Sequence, residues 1–134
     1  MPIESLQTQR LLESCEQALA GRYIVHRLHE AKDREALLTD VAPRIRGIAA
    51  MGVVDAQLIA RLPKLEIIAS FGVGYDGVDI AAARARNIRV TNTPNVLNDA
   101  VAELTIGMMI ALARRIPPAD SFVREGKWLQ ARFP

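Results

Sequence analysis

The sequence predicts an α/β fold, a parallel sheet with helices on both faces, and three observations carry that prediction. Short apolar runs of strand length alternate with helical stretches between about residue 11 and residue 91, an order that sets parallel strands side by side with helices crossing between them. A glycine-rich loop directly follows one of those runs, at the carboxyl end of a strand, where ligands of open α/β sheets bind. Half of the 134 residues are hydrophobic, enough for one buried core and too few residues for two full domains.

The elements follow in order. Residues 11–19 read as a helix, stopped by Gly21 at a natural C-terminal position. Residues 23–26 form a short strand and 34–40 a polar helix, followed by a strand over 45–50. Asp55 is placed to cap a helix over 56–61, which Pro63 breaks. Residues 67–70 form a strand, 80–86 a helix begun by Asp79, and 88–91 another strand. Residues 2–9 hold only Ile3 and Leu6 as large apolar groups. A first strand there is short, at an edge, or absent, and the residues leave the three open.

Asn98 then begins a long helix, with Asp99 in its first turn and Arg114-Arg115 in its last, the charge order that suits a helix dipole. Val101, Leu104, Met108, Ala111 and Leu112 mark one apolar face, and Ile106, Met109 and Ile110 cover the other side. A helix apolar all round is expected to be buried on all sides. Pro117-Pro118 end it, and residues 119–125 form a second short helix stopped by Gly126.

Composition narrows the function classes. A net charge of +2 with scattered Lys and Arg argues against a nucleic-acid surface, and the pI of 9.0 adds little when charges are nearly balanced. Cys15 is the only cysteine, which points to a reducing compartment and an inert helix residue. Residues 1–7 lack the apolar region of a secretory signal, and the apolar stretch 104–113 is too short to span a bilayer. The expected location is cytoplasmic. His26 and His29 read as strand-end and loop residues rather than proton donors, and no metal-ligand spacing occurs.

The richest stretch is Ser70-Phe71-Gly72-Val73-Gly74-Tyr75-Asp76-Gly77-Val78-Asp79. Gly72, Gly74 and Gly77 match the dinucleotide pattern G-x-G-x-x-G between a strand and a helix. The rest of that fingerprint fails, because the next strand ends in Thr91-Asn92 where an acidic residue should hold the ribose hydroxyls. What survives is a glycine loop offering unobstructed N–H donors to an anion. Asp76 is expected to fasten this loop by bonding local N–H groups.

The loop is followed by Asn87-Ile88-Arg89-Val90-Thr91-Asn92-Thr93-Pro94, Ala100-Val101-Ala102-Glu103-Leu104-Thr105 and Arg114-Arg115-Ile116. This ordered series resembles the D-isomer-specific 2-hydroxyacid dehydrogenases, and with Gly126-Lys127-Trp128 it is most similar to their glyoxylate/hydroxypyruvate reductase branch. The resemblance runs from about Gly21 to Pro134. It implies a flavodoxin-like substrate-binding lobe over 1–97 and an interlobe and dimerisation segment over 98–134. The nicotinamide-binding lobe and the catalytic Arg, Glu and His of such enzymes lie beyond the matched region. The chain is therefore expected to be a truncated or separately encoded lobe, inactive alone, with NAD or NADP bound only by the complete enzyme.

The resemblance also assigns residues. Backbone N–H groups of Val73 and Gly74 would bind the carboxylate of a small 2-oxo or 2-hydroxy acid, with Gly72 shaping the turn and Met51-Gly52 forming another pocket wall. Val101 and Thr105 match positions that touch the cofactor, although the Thr105 hydroxyl has the alternative of bonding back to its own helix. Trp128 either packs or reaches toward a neighbouring active site. A homodimer through 98–128 is implied, with neither nucleic acid nor membrane as partner. The competing reading is a non-catalytic small-carboxylate-binding or interaction module.

Overall fold

A computed structural model describes residues 2–134, which form two compact units, the first ending at Val96 and the second beginning at Leu97. The first unit runs β1 (Glu4–Gln7), α1 (Glu13–Ala20), β2 (Ile24–Arg27), α2 (Arg34–Val41), β3 (Ile45–Ala50), α3 (Ala56–Arg61), β4 (Ile67–Ser70), α4 (Ile80–Ala85) and β5 (Arg89–Thr91). All five strands are parallel, in the order β2-β1-β3-β4-β5, the arrangement of flavodoxin-like sheets.

The register sorts the side chains. Leu6, Ile48, Ile68 and Val90 are paired across four strands and point to one face, where Leu38 and Val41 of α2, Ile59 of α3, Leu62 just after it and Ala83 of α4 complete the core. The opposite face carries Ser5, Gln7, Gly47, Ala49, Ile67 and Ala69. Within this unit α1 covers that face near β1, where Gln7 Nε2 donates to Glu16 Oε1 at 2.8 Å. Beside it lies an apolar hollow of about 250 Å³ lined by Ile3, Leu19, Tyr23, Gly47, Ala49 and Ile67.

Three helices of this unit begin at an aspartate that caps them. Asp33, Asp55 and Asp79 accept from the amides of Ala36 (3.0 Å), Leu58 (2.8 Å) and Ala82 (2.9 Å), each satisfying an amide that the helix leaves over. The α3 carboxyl end is closed by Arg86, whose guanidinium donates to the carbonyls of Ile59, Leu62 and Pro63. That contact ties α4 to α3.

The first strand forms. It is short but interior, paired with β2 on one side and β3 on the other, so neither an edge position nor absence holds. A strand with one large core residue survives there because its backbone is bonded on both sides and its polar Gln7 has partners in Glu16 and the Gln9 carbonyl. Helix α1 starts at Glu13 rather than residue 11, because Leu12 is extended and the Leu11 amide is taken by Glu16 Oε1 at 2.9 Å.

The second unit holds α5 (Asn98–Ala113), α6 (Ile116–Arg124) and a 3₁₀ turn over Lys127–Leu129. The long helix ends earlier than expected. Arg114 is already its C-cap and Arg115 is left-handed at φ 54°, so no basic residue lies in the last turn. Pro117 and Pro118 sit in the first turn of α6, where a missing N–H costs nothing and a fixed φ suits the helix. They open α6 as well as closing the way for α5. The chain end folds back on this unit, with Phe122 and Phe133 edge to face at 5.5 Å and Arg115 lying 5.0 Å over the Phe133 ring. The expected burial of α5 on all sides is not found, since every residue from Asn98 to Ala113 except Ala111 is exposed.

Candidate functional site

Two loops at the carboxyl edge of the sheet are stitched together. β3 and β4 are neighbours, and the Phe71 amide donates to the Ala50 carbonyl at 2.7 Å just past their last pair. Further out, the Val54 amide donates to the Gly77 carbonyl at 2.8 Å and the Asp79 amide to the Val54 carbonyl at 2.9 Å, a parallel bridge of Val54 with Val78. The segment 51–53 is thus held against the glycine loop 72–77. Met51 and Gly52, expected as a pocket wall, Gly72, expected to shape the turn, and Val73 and Gly74, expected to bind the carboxylate, lie in these paired loops.

Gly52 has φ 84°, a left-handed conformation that a side chain disfavours. Gly77 approaches Gly52 so closely that a Cβ on Gly77 would stand 2.5 Å from the Gly52 carbonyl oxygen. The third glycine of the motif therefore serves loop-to-loop packing. Gly74 has no positive φ, and a Cβ there would meet the Asp76 carboxylate at 3.0 Å.

Met51 is fixed by a residue the sequence reading passed over. Thr8, 5% exposed, follows β1, and its Oγ1 both accepts from the Met51 amide and donates to the Met51 carbonyl, each at 3.0 Å. The one sequence signal was a hydroxyl residue just past a strand. The glycine loop is fixed by the segment after β5, where Asn92 Nδ2 donates to the Val73 carbonyl at 2.7 Å and the Thr93 amide to the Gly72 carbonyl at 2.9 Å. Asn92 was legible only as the residue standing where a dinucleotide site wants an acid.

Among the described residues no hydrogen bond takes up the amides of Val73 and Gly74. Exposed Met51, Phe71 and Tyr75 stand in the same two loops. The arrangement offers backbone donors to an anion beside apolar side chains. Asp76 does not fasten the loop as expected: its carboxylate makes no hydrogen bond among the described residues, and the loop is held instead through its carbonyls, from the Asn92 side. Asp79 caps α4, so a carboxylate already occupies the helix N-terminus that a pyrophosphate would need. The loop does not fit a dinucleotide.

Elsewhere, His26 Nε2 lies 2.8 Å from Glu4 Oε2, and Arg44 Nε is 3.0 Å from Glu4 Oε1. The hydrogen bond from His26, and then those of Arg44, hold the Glu4 carboxyl below its usual range. His26 lies on β2, with β1 and β3 between it and β4. Among the described residues no three His, Cys, Asp or Glu side chains converge as for a metal, and no helix is long and apolar enough to cross a membrane. In the second unit, Val101 and Thr105 are one turn apart on α5, and the Thr105 hydroxyl donates to the Val101 carbonyl at 2.7 Å. Trp128 is exposed in the 3₁₀ turn.

Comparison with known proteins places these features in a family. Residues 4–128 match the family model described as D-isomer specific 2-hydroxyacid dehydrogenase, catalytic domain. Glyoxylate/hydroxypyruvate reductase A of Arabidopsis thaliana is 42% identical over 120 residues, 88% of this chain and 38% of that protein. The solved 2-hydroxyacid dehydrogenase of Ketogulonicigenium vulgare Y25 superposes with a TM-score of 0.91 at 43% identity, over 100% of this chain and 43% of that one. An NADPH-dependent glyoxylate/hydroxypyruvate reductase of Sinorhizobium meliloti, solved with NADP and malonate, gives 0.84 at 36% identity, over 100% and 42%. The chain thus spans about two fifths of the length of these relatives.

Proposed function

The chain belongs to the D-isomer specific 2-hydroxyacid dehydrogenase family, and from that premise we propose that it supplies the substrate-binding part of an NAD(P)-dependent oxidoreductase. The complete enzyme reduces small 2-oxo acids of the glyoxylate or hydroxypyruvate kind to D-2-hydroxy acids. The observation that carries this reading is the pair of unpartnered amides at Val73 and Gly74, set in a loop stitched to Met51 and Gly52. Two adjacent N–H groups suit the carboxylate of such an acid. A relative solved with NADP and malonate, itself a dicarboxylate, supports the same chemistry.

In this reading residues 1–97 bind the 2-oxo acid and 98–134 join the nicotinamide lobe and a second subunit in a cytoplasmic homodimer, through 98–128. Met51 and Gly52 wall the pocket, and Gly72 sets the turn. Val101 and Thr105 face the cofactor, which when bound supplies the hydride. The chain's own residues hold and orient the acid. Among the described residues no histidine lies in these two loops to supply a proton, so in this reading residues 1–134 alone are expected to be inactive.

The test compares the 134-residue chain with the same chain joined to a nicotinamide lobe. Alone, it should oxidise neither NADH nor NADPH with glyoxylate or hydroxypyruvate; joined, it should turn over. Turnover by the chain alone overturns the division of labour. Oxalate binding without turnover in the joined protein favours the non-catalytic carboxylate-binding module.

A further inference from the structure

We propose that Asn92 is a positioning residue that aims the Val73 and Gly74 amides at the bound carboxylate, an inference that rests on the carboxylate reading above. β5 runs parallel to β4, with Ala69 opposite Thr91, so Asn92 leaves the sheet at the edge where the glycine loop begins. It donates from Nδ2 to the Val73 carbonyl at 2.7 Å, and the next amide, Thr93, donates to the Gly72 carbonyl at 2.9 Å. Two successive carbonyls of the loop are thereby held from one side by one segment.

Peptide planarity fixes the consequence. In a trans peptide unit the C=O and the following N–H point in opposite directions. Drawing the Gly72 carbonyl toward Thr93 turns the Val73 N–H away from that segment. Drawing the Val73 carbonyl toward Asn92 does the same to the Gly74 N–H. Both donors are then presented together on the side facing away from residues 92 and 93, and neither has a partner among the described residues. A hydrogen bond received at the carbonyl also polarises the unit and strengthens its N–H as a donor.

The side chain at this position must be a donor. An aspartate would repel the Val73 carbonyl and place a negative charge behind an anion site. The residue whose amide argued against a ribose-binding acid in the sequence is thus the residue that builds the carboxylate cradle.

The experiment uses the ¹⁵N-labelled 134-residue chain, titrated with oxalate to high millimolar concentration against chloride at equal ionic strength. Oxalate should shift the Val73 and Gly74 amide resonances, and Asn92→Ala should weaken it about tenfold, the loss expected for one hydrogen bond. Asn92→Asp, which keeps the side-chain volume, should weaken it further. In ligand-free Asn92→Ala the Gly74 N–H residual dipolar coupling should change while those of β3 and β4 do not, a readout that a general loss of stability would not give. Absence of any shift in the wild-type chain overturns the carboxylate reading and this inference with it. Binding by wild type with equal oxalate affinity in both variants overturns this inference alone.

Discussion

The backbone of Gly77 touches the backbone of Gly52: a Cβ on Gly77 would lie 2.5 Å from the Gly52 carbonyl oxygen and 3.1 Å from its carbonyl carbon. No flexible side chain is available there to yield. The contact lies next to the bonds from Val54 N to Gly77 O and from Asp79 N to Val54 O, so the two loops of the candidate site share one interface. Gly77→Ala must push them apart. The expected cost is about 1–3 kcal/mol, as for other overpacked sites, read as a lower denaturation midpoint together with weaker oxalate binding. An unchanged midpoint would mean that the loops separate freely and that their pairing does not shape the site.

Thr8 offers a cleaner separation of hydroxyl from volume. Valine has nearly the same shape but leaves the Met51 amide and carbonyl without the partner they find in Oγ1. Each buried polar group left unsatisfied costs about 1–3 kcal/mol. Thr8→Val should therefore destabilise the chain and quicken hydrogen exchange at Met51, whereas Thr8→Ser should restore slow exchange at that amide. Equal exchange in the two variants would remove Thr8 from the account of the pocket wall.

Much of this architecture was legible in the sequence, and the reasons differ by element. The helices starting after Asp55 and Asp79 announce themselves locally, because an aspartate ahead of a helical run caps it whatever lies elsewhere. β3 and β4 were legible as short, mostly apolar runs, each with a glycine two residues past its end. β1 was left open because its stability comes from neighbours distant in sequence, β2 and β3. The Gly77–Gly52 contact and the Thr8–Met51 and Asn92–Val73 bonds span 25, 43 and 19 residues. Pairings at such separation leave no local periodicity to read. The motif drew attention to the glycines, but only tertiary contact assigned Gly77 to loop-to-loop packing.

Acid should weaken the sheet where β1 meets β2, at Glu4. Its carboxylate, on β1, meets His26 on β2 and Arg44 before β3, and Arg44 also reaches Asp40 of α2 at 3.3 Å. The folded value lies below the ordinary 4.5, so the folded state binds the proton less readily than the unfolded state does. Its contribution is accordingly complete above about pH 4.5 and is lost as pH falls through the lowered folded value. Glu4→Gln removes that term. The variant should melt lower than wild type at pH 6, with the difference shrinking toward pH 2. A constant gap across that range would show that Glu4 acts by packing alone.

The proposed association of the second unit rests on α5. Leu104 and Met108 mark one face, Ile106 and Ile110 the other, and all four are more than half exposed. An apolar surface of this extent is more than a monomer ordinarily leaves to water, and it is the surface on which the proposed dimer rests. Sedimentation at tens of micromolar should therefore give a mass above that of one 14.7 kDa chain. The helix being apolar all round, a single substitution is a weak probe, and paired lysines one turn apart are needed. Leu104→Lys with Met108→Lys tests one face; Ile106→Lys with Ile110→Lys tests the other. The pair that yields a monomer identifies the face buried between subunits, because lysine heads brought into an apolar interface leave charge desolvated without a partner. If both doubly substituted chains keep the wild-type mass, or if the wild-type chain is already monomeric, α5 does not hold two copies together. Its apolar faces would then be left for the nicotinamide lobe that the proposed function calls for.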